Sequence, residues 1–356
     1  MKVHNLNITT VDTITVKMFQ KVIIWGYPLN SHTHSFVHYG WHKAFQSLGY
    51  ETYWFHDAEY PSLDTFDYTQ CLFITEGYAD TKIPLHKSNI YIVHVATKPR
   101  KYLDCGARFI DMRYNVISIK DHNYIYELAN KTLDTISPVT LYEKKSSDRD
   151  LNPRFRHHSP IYYEAVYTAW ATDLLPNEIC LEDRFIEPAE PHVTYFIGSI
   201  AAGNALEMQN FATSCSKHGI HFIHHNPWKT GLSFEAAKKL VQKSYVAPDI
   251  RGSGDPDRVR FGETGTCHKN ITGYIPCRLF KNISYGKLGL TNCPRLKELF
   301  GENVQLETDE ALMVSSYIQM APNKDYILKQ MEWVRDHHTY LNRIQDLLYI
   351  LRNGAV

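Results

Sequence analysis

The apolar positions of residues 19–96 fall into short unbroken runs and one stretch with helical spacing. The runs at 21–26, 51–55, 70–75 and 89–96 are rich in β-branched and aromatic residues, which predicts buried strands. Apolar residues recur at every third or fourth position over 36–48 and Gly49 follows, which predicts a helix that ends there. The short connections favour a parallel sheet covered by helices.

A second alternation begins at residue 193. Strands are predicted over 193–198, 220–224, 245–248 and 304–307, and helices over 205–217, 233–243 and 294–300. Ser233 is the predicted N-cap of the middle helix. From residue 309 the spacing is helical, first over 311–320 and then over 324–351 without a break.

Residues 97–172 show a weaker periodicity. The pattern predicts strands over 108–111 and 116–119, a helix over 124–133, a charged surface segment over 143–156 and an aromatic helix over 162–172. Three prolines, Pro176, Pro188 and Pro191, then mark a linker between the two alternations.

These patterns predict an α/β fold with two Rossmann-like, doubly wound domains that face each other across a cleft, followed by long C-terminal helices. A length of 356 residues suits two domains. The predicted divisions are an N-terminal extension over 1–18, a first domain over 19–175, a linker over 176–192, a second domain over 193–323 and the helices over 324–356. In such sheets ligands bind beyond the carboxyl ends of the strands.

Charge and cysteine content restrict the classes of function. The 38 basic and 38 acidic side chains balance, so no overall field attracts nucleic acid or an anionic membrane, and an anion site has to be local. The seven cysteines are widely spaced and include no CxxC pair, which is typical of a reduced protein without a cysteine zinc site. With no transmembrane run and no signal peptide, we expect a cytoplasmic protein.

The stretch from Gly273 to Asn292 carries the residues suited to a diphosphate. Arg278, Lys281 and Lys287 offer charge-assisted hydrogen bonds to phosphate oxygens. The pattern also predicts a helix that begins at Thr291, whose unpaired amides and partial positive end favour an anion. The alternative interpretation is an amphipathic helix with solvated basic residues. Gly286 and Gly289 either end that helix or let the backbone approach a ligand.

Two loops of the second alternation are further candidates for the donor site. Gly198 and Ser199 end its first strand, but the sequence there lacks the Lys-Ser/Thr of a phosphate loop and the spacing of a dinucleotide fingerprint. Asp249 and Arg251 follow the strand over 245–248, where arginine suits a phosphate and aspartate suits a base or ribose. A surface ion pair is the alternative for these two residues.

Four histidines, His32, His34, His38 and His42, open the helix of the first alternation. If the helix begins early, His34, His38 and His42 share one of its faces and suit a zinc ion, but the pattern contains no carboxylate or cysteine, and we expect no metal. Solvated surface histidines are a second interpretation. A neutral His32 or His34 at the cleft is a third, because an imidazole there suits proton transfer from an acceptor hydroxyl. Asp57 and Glu76, each at the end of a strand, compete for that role.

Several segments together resemble GT-B glycosyltransferases, in particular the spore-maturation-type (CgeB-like) and large-DNA-virus sugar transferases. These segments are KVIIWG (21–26), FIGS (196–199), YVAPDIRG (245–252), YIPCRLFKNISYGKLGLTN (274–292) and HTYLNR (338–343). The resemblance spans about residues 21–351 and is stronger in the second half.

The resemblance implies that the second domain holds the nucleotide-sugar and that the C-terminal helix, which includes 338–343, crosses back to the first. It implies a set of donor-site residues: Gly198, Ser199, Asp249, Arg278, Lys281, Ser284, Tyr285, Gly286, Thr291 and Asn292. It also implies that no divalent metal or other cofactor is required. The Glu-x7-Glu pair of many retaining enzymes is missing near 277–285, which favours an inverting reaction.

The expected function is therefore transfer of a hexosyl or deoxyhexosyl unit from a UDP- or GDP-sugar to a hydroxyl of a glycan or protein-linked glycan. His32, His34, Glu76 and Arg278 are the expected catalytic residues. One alternative is a non-catalytic protein of the same fold that binds a nucleotide-sugar or a glycan. Another is a histidine-dependent metal hydrolase built on residues 32–42.

Overall fold

The first half of the chain forms a seven-stranded sheet in the computed structural model, which describes residues 18–94, 96–113, 139–145, 162–182, 186, 190–200, 204–252, 275–320 and 323–353. The strands are β1 (Lys21–Gly26), β2 (Glu51–His56), β3 (Cys71–Glu76), β4 (Ile90–His94), β5 (Arg108–Arg113), β6 (Val139–Lys145) and β7 (Tyr162–Thr168). Their order is β2-β1-β3-β4-β5-β7-β6. Every neighbouring pair is parallel except β6 with β7. We call this sheet and its helices the first strand group.

Both faces of this sheet are buried, because alternate residues of its strands enter different hydrophobic clusters. Val22 and Ile24 of β1 belong to one cluster, together with helix α1 (Thr33–Ser47). Ile23 and Trp25 belong to the other, which also includes Tyr102 of helix α2 (Arg100–Asp104). This double burial explains the unbroken apolar runs that predict the strands.

The order of the strands reverses at β1, and in doubly wound sheets such a reversal forms a crevice at the carboxyl edge. Strand β2 lies on one side of β1 and strand β3 lies on the other, so the crossover to β2 and the crossover to β3 run in opposite directions across the sheet. A reversal of this kind is the usual ligand position in a doubly wound sheet. The loop after Gly26 and the turn after Glu76 border the crevice.

A second strand group follows. It contains β8 (Val193–Ile197), β9 (His221–His225), β10 (Leu290–Thr291) and β11 (Gln305–Leu306). Strands β8 and β9 pair in parallel, and so do β10 and β11. Residues 245–249 connect the two pairs, because the amide of Tyr245 donates to the carbonyl of Val193 (2.8 Å) and the amide of Asp249 donates to the carbonyl of Leu290 (2.8 Å).

The helices of this group have the bounds α3 (Ala205–Lys217), α4 (Pro227–Thr230), α5 (Phe234–Lys243), α6 (Cys277–Ser284), α7 (Pro294–Phe300) and α8 (Met313–Met320). Short 3-10 turns cover Pro176–Glu178 and Gly301–Asn303. The predicted N-cap is confirmed, since the Ser233 hydroxyl accepts a hydrogen bond from the amide of Ala236. The group has a hydrophobic cluster of its own, which includes Phe211 and Phe280.

The chain closes with helices α9 (Lys324–His337) and α10 (Tyr340–Asn353). The prediction of one unbroken helix over 324–351, with 338–343 inside it, is wrong. Thr339 instead forms a β-bridge with Thr172, and the amide of Thr172 donates to the carbonyl of His338 (3.0 Å). The apolar stripe continues past the break, because α9 packs into the second group's cluster and α10 into the first group's. Among the described residues, no helix combines the length and apolar character needed to cross a membrane.

One assignment in the middle of the chain is also wrong. Residues 162–168 form strand β7 instead of an aromatic helix. The first three residues of the charged segment predicted over 143–156 belong to strand β6, and the rest of that segment lies outside the described residues. The sequence of β7, YYEAVYT, is rich in β-formers, and pairing with β5 on one side and β6 on the other decides its conformation. The predicted elements over 116–119 and 124–133 and the extension over 1–17 lie outside the described residues.

The structure is thus a mixed α/β fold with a mainly parallel sheet and C-terminal helices. The finer division into two GT-B domains, with the boundaries given above, stays a prediction.

The contact between α1 and α10 gives a test of this packing. A Cβ atom on Gly40 would lie 2.2 Å from Cδ2 of the buried Tyr340 ring. We expect Gly40→Ala to lower the free energy of unfolding by about 1–3 kcal/mol, because overpacking outweighs the gain in helix propensity. Urea unfolding measures this change. The same substitution in a Tyr340→Ala background should cost much less, and a more stable single variant would contradict the packing.

Candidate functional site

A histidine and a glutamate meet at the crevice of the first strand group. Glu76 is the last residue of β3, and His34 lies in the first turn of α1. Their Nδ1 and Oε2 atoms are 2.5 Å apart, and we call this pair the dyad. The side chain of Glu76 is 2% exposed and that of His34 is 22% exposed. A carboxylate that holds the proton on Nδ1 leaves Nε2 as the basic nitrogen, so the dyad is built to accept a proton.

The loop between β1 and α1 fixes the position of His34. His32 is the N-cap of α1, and its Nδ1 accepts a hydrogen bond from the amide of His34 (3.1 Å). Tyr27 stacks on the His32 ring with 3.8 Å between the centroids. Burial first, and then the neighbouring His34, lower the pKa of His32 to about 4. The N-cap contact requires a neutral ring whose Nδ1 carries no proton. His32 therefore helps to position His34.

His38 and His94 form a buried pair behind the dyad. Their Nε2 atoms are 2.6 Å apart, so one ring donates and the other accepts. Burial lowers the pKa of His38 to about 3 and lowers that of His94 as well, which keeps the pair neutral. The His94 and His34 rings meet edge to face at 4.9 Å. A Cβ on Gly26 would lie 2.5 Å from Nδ1 of His38, so the pair needs glycine at the end of β1.

The histidines of α1 therefore do not act as one set. His34 contacts Glu76, His38 contacts His94, and His42 lies against Trp54 with ring centroids 5.8 Å apart. The predicted shared face of His34, His38 and His42 thus does not form a metal-ligand triad.

A different trio has the composition of a metal site. Within the described residues, His32, His34 and Glu76 place one ligand atom each within 4.8 Å of one another. Nδ1 of His34 is already hydrogen-bonded to Glu76, and Nδ1 of His32 to the amide of His34. A metal-bound histidine usually donates its second ring N–H, whereas His32 accepts one at Nδ1. The geometry thus favours a hydrogen-bonded dyad over a metal centre.

Asp57, which competes with Glu76 for the role of base, is a loop cap. Its carboxylate accepts hydrogen bonds from Nε1 of Trp25 (2.9 Å) and from the amides of Thr81 (2.9 Å) and Lys82 (3.0 Å). These contacts hold two loops together and use both oxygens.

Arg278 and Gly198 meet at the carboxyl end of β8. The guanidinium carbon of Arg278 lies 4.4 Å from the centroid of the Phe196 ring. A Cβ on Gly198 would lie 2.3 Å from Nη2 of Arg278, and the φ angle of Gly198 is +154°, so glycine is required there. In the described part of the chain no acidic side chain pairs with Arg278. Ser199 follows and is exposed. A half-buried guanidinium with no acidic partner among the described residues suits an anion.

The other acidic and polar residues predicted for the donor site form hydrogen bonds with one another. Asp249 Oδ2 accepts from Nε of Arg251 (3.2 Å) and from the Thr291 hydroxyl (3.1 Å). Asn292 Oδ1 accepts from the amide of Arg251 (2.9 Å), and Asn292 Nδ2 donates to Glu310 (2.6 Å). Asp249, Arg251, Thr291 and Asn292 are all buried. Asp249 and Arg251 are thus not the surface pair of the alternative interpretation.

The helix predicted to begin at Thr291 begins later. Thr291 belongs to β10, and α7 starts at Pro294 with Cys293 as its N-cap. The Thr291 hydroxyl accepts from the amide of Cys293 (3.2 Å), so it stabilises the turn instead of capping a helix. The helix predicted over 294–300 is confirmed, whereas its predicted opening at Thr291 is wrong. Binding of an anion near Thr291 stays a prediction.

Lys281, Ser284 and Tyr285 lie at the junction with the first strand group. Lys281 pairs with Asp173 (3.2 Å), and the Tyr285 hydroxyl donates to the same carboxylate (2.5 Å). The hydroxyls of Ser284 and Thr172 are 2.7 Å apart. Burial opposes the charge of Asp173, but Lys281 and Tyr285 outweigh it and hold the pKa of Asp173 below its ordinary value. Gly286, with φ of +87°, ends the turn after α6.

Lys287 is enclosed in the second group's interior. Its side chain is fully buried, and Nζ donates to the carbonyl of Ser244 (2.7 Å). Burial lowers its pKa from 10.5 to about 7. This placement does not support the predicted contact with a phosphate.

The buried ammonium gives a prediction of pH-dependent stability. Between pH 7 and 10 the unfolded chain binds a proton at Lys287 that the folded chain has released, so the free energy of unfolding rises with pH through this window. We expect Lys287→Met to remove a slope of up to about 1.4 kcal/mol per pH unit. Urea unfolding at several pH values measures it. Lys239→Met, at an exposed lysine, should keep the wild-type slope, and an unchanged slope in Lys287→Met would contradict the assignment.

Comparisons of the chain with protein-family models, curated proteins and solved structures found no match. The site therefore has to be interpreted from its own geometry. The structure joins His34 with Glu76, and Arg278 with Gly198. It also shows that His94, which the sequence analysis does not single out, lies beside the dyad. Its position at the carboxyl end of a predicted strand is the signal that would have identified it.

Proposed function

We propose that the chain is a glycosyltransferase that moves a sugar from a nucleoside diphosphate-sugar to a hydroxyl of a glycan or protein-linked glycan. One observation carries this proposal. A carboxylate-backed imidazole lies at the carboxyl edge of one parallel sheet, and an arginine with no acidic partner among the described residues lies at the carboxyl end of a strand in the second group. Sugar transfer needs a base for the acceptor and a cation for the leaving diphosphate.

The reaction follows from these two groups. Nε2 of His34 takes the proton of the acceptor hydroxyl, and Glu76 stabilises the imidazolium that forms. The hydroxyl oxygen attacks the anomeric carbon of the donor. The bond to the diphosphate breaks, and its electron pair leaves with the diphosphate oxygen. Arg278 stabilises the negative charge that develops there. One base and one displacement give inversion at the anomeric carbon, and side chains take the place of a divalent ion on the diphosphate.

The proposed fold is GT-B. It is supported by the strand orders, because β2-β1-β3-β4-β5 of the first group has a counterpart in the order β9-β8-(245–249)-β10-β11 of the second. It is also supported by α10, whose Tyr340 and Ile344 pack into the first group's hydrophobic cluster. Phe234 of α5 contacts Phe36 and Tyr39 of α1, with ring centroids 4.6 and 4.1 Å apart.

The proposed donor site is built around Gly198 and Arg278. The neighbouring Asp249 carries a buried Oδ1 that has no hydrogen-bond partner among the described residues, which suits a donor from a base or ribose. Arg251, Thr291 and Asn292 hold this aspartate in place. Lys281, Ser284, Tyr285 and Gly286 form the wall toward the first group.

A thermal-shift series with UDP, GDP, ADP, CMP and TDP tests the donor site. A ligand bound only by the folded chain, at 100 times its dissociation constant, adds about 2.7 kcal/mol to the free energy of unfolding. We expect one nucleoside diphosphate to raise the melting temperature and the matching nucleotide-sugar to be hydrolysed slowly by the pure protein. No shift with any of the five would overturn the proposal. A shift without hydrolysis or transfer would favour the non-catalytic binding protein.

A metal hydrolase is the second candidate, because His32, His34 and Glu76 have ligand atoms within 4.8 Å of one another. Catalytic zinc often takes two histidines, one glutamate and a water. Elemental analysis of the purified protein decides between the candidates. Stoichiometric zinc that Glu76→Gln removes would favour the hydrolase, and a metal-free protein that turns over nucleotide-sugar would end it.

A further inference from the structure

An exposed tyrosine stands next to the dyad on a tightly held turn. Tyr78 lies two residues after Glu76, between strands β3 and β4, and is 68% exposed. The turn is fixed on three sides. The amide of Ala79 donates to the carbonyl of Glu76 (2.9 Å), the amide of Gly77 donates to the carbonyl of His94 (3.0 Å), and the Thr97 hydroxyl donates to the carbonyl of Gly77 (2.6 Å). The backbone of Tyr78 is thus held in a constant position relative to the dyad.

The opposite loop of the crevice presents a complementary surface. Tyr27, which stacks on His32, is partly buried, and Leu29 is 51% exposed. Burial first, followed by the charges of Glu76 and Tyr78, raises the pKa of Tyr27 to about 12, so the two phenols and the carboxylate lie within electrostatic reach of one another. The polar dyad is therefore bordered by an exposed aromatic ring on one loop and apolar surface on the other.

This combination selects a particular kind of ligand. A pyranose has a face of C–H groups and an edge of hydroxyls, and C–H groups pack favourably on the electron-rich face of an aromatic ring. A pyranose stacked on Tyr78 can direct one of its hydroxyls toward the imidazole of His34. A serine or threonine of a peptide has no flat apolar face that would need such a platform. His34 is paired with the Glu76 carboxylate, and the negative charge of that carboxylate disfavours an anionic ligand.

We propose that Tyr78 is the platform of the acceptor subsite and that the reacting unit of the acceptor is an uncharged pyranose stacked on its ring. This inference rests on the proposed function, since it identifies the group that would deliver its hydroxyl to His34. Tyr78 then positions the acceptor, and Leu29 and Tyr27 form the opposite wall of the subsite.

The test measures sugar binding without any donor. Maltotriose, cellotriose and triacetylchitotriose are titrated at millimolar concentrations against the full chain, and saturation-transfer NMR reports the bound protons. We expect the ring C–H protons of at least one trisaccharide to give signals. Tyr78→Ala should weaken its binding about tenfold, as expected for the loss of one aromatic stacking contact. Tyr78→Phe and Tyr78→Trp should retain the binding.

Tyr349→Ala is the matched control, because Tyr349 is 58% exposed on helix α10, outside the crevice. It should bind the trisaccharides as the wild type does. Equal binding by Tyr78→Ala and the wild type would overturn the inference, and so would the absence of any signal with the wild type. The nucleoside diphosphate series gives an independent result. Sugar binding through Tyr78 without nucleotide binding would refute the transferase and leave the sugar subsite in place.

Discussion

Arg278→Ala should lower the rate of sugar transfer by about 10² or more, the usual effect of removing one donor that stabilises developing charge. The reason is the position of the guanidinium. It stacks on Phe196 beside the required glycine at 198, and no acidic side chain among the described residues neutralises it. The measurement is the initial rate of transfer or hydrolysis with the nucleotide-sugar found in the thermal-shift series. The same substitution should also weaken binding of the nucleoside diphosphate.

Arg335→Ala provides the comparison. Arg335 pairs with Glu332 and Asp336 on the surface of α9, so its removal should change neither rate nor binding. Arg278→Lys keeps the charge but loses the planar fork and should recover only part of the rate. A rate near that of the wild type in folded Arg278→Ala would remove this residue from the donor site.

Glu76→Gln should lower the transfer rate by a factor of about 10²–10⁴, the range typical of lost general-base catalysis. The amide keeps the shape of the side chain but cannot stabilise the imidazolium of His34, whose Nδ1 lies 2.5 Å from Oε2. His34→Ala should produce a loss of similar size, and the double variant should be little worse than either single one, because the two residues act as a unit.

Nucleotide affinity separates this effect from the loss of Arg278. Because the dyad lies in the first strand group, Glu76→Gln and His34→Ala should both retain the thermal shift with the nucleoside diphosphate. His221→Gln, at an exposed histidine of β9, serves as the control and should keep the full rate. If Glu76→Gln transfers sugar as fast as the wild type, the dyad is not the base.

Elements whose residue pattern is set by burial are predicted from the sequence, and elements fixed by distant partners are not. Strands β1, β3 and β4 are predicted well because burial on both faces leaves an unbroken apolar run. Strand β2, a partly exposed edge strand, is predicted from its aromatic residues. Helix α3 is predicted with the bounds that the structure shows. Strand β7 and the break between α9 and α10 are missed for a common reason. Partners distant in sequence fix their conformation, β5 and β6 in one case and Thr172 in the other.

The candidate site shows the same limit. Sequence reasoning names His34 and Glu76, but as competitors for one role, because their separation of 42 residues along the chain hides their contact. The parallel pairing of β1 with β3 brings them together. The basic residues of the stretch over 273–292 lie in different structural environments. Arg278, on the first turn of α6, has no acidic partner among the described residues, Lys281 is paired, and Lys287 is enclosed. No local pattern separates a solvated lysine from a buried one.

The return of α10 to the first strand group has a consequence for synthesis on the ribosome. Ile344, Leu347 and Leu351 complete the cluster that covers α1, and Arg108 donates to the carbonyl of Leu351 (2.9 Å). The amino-terminal sheet therefore emerges with an uncovered apolar flank long before the segment that seals it has been translated. During this interval we expect the nascent chain to expose apolar surface of the kind that promotes aggregation.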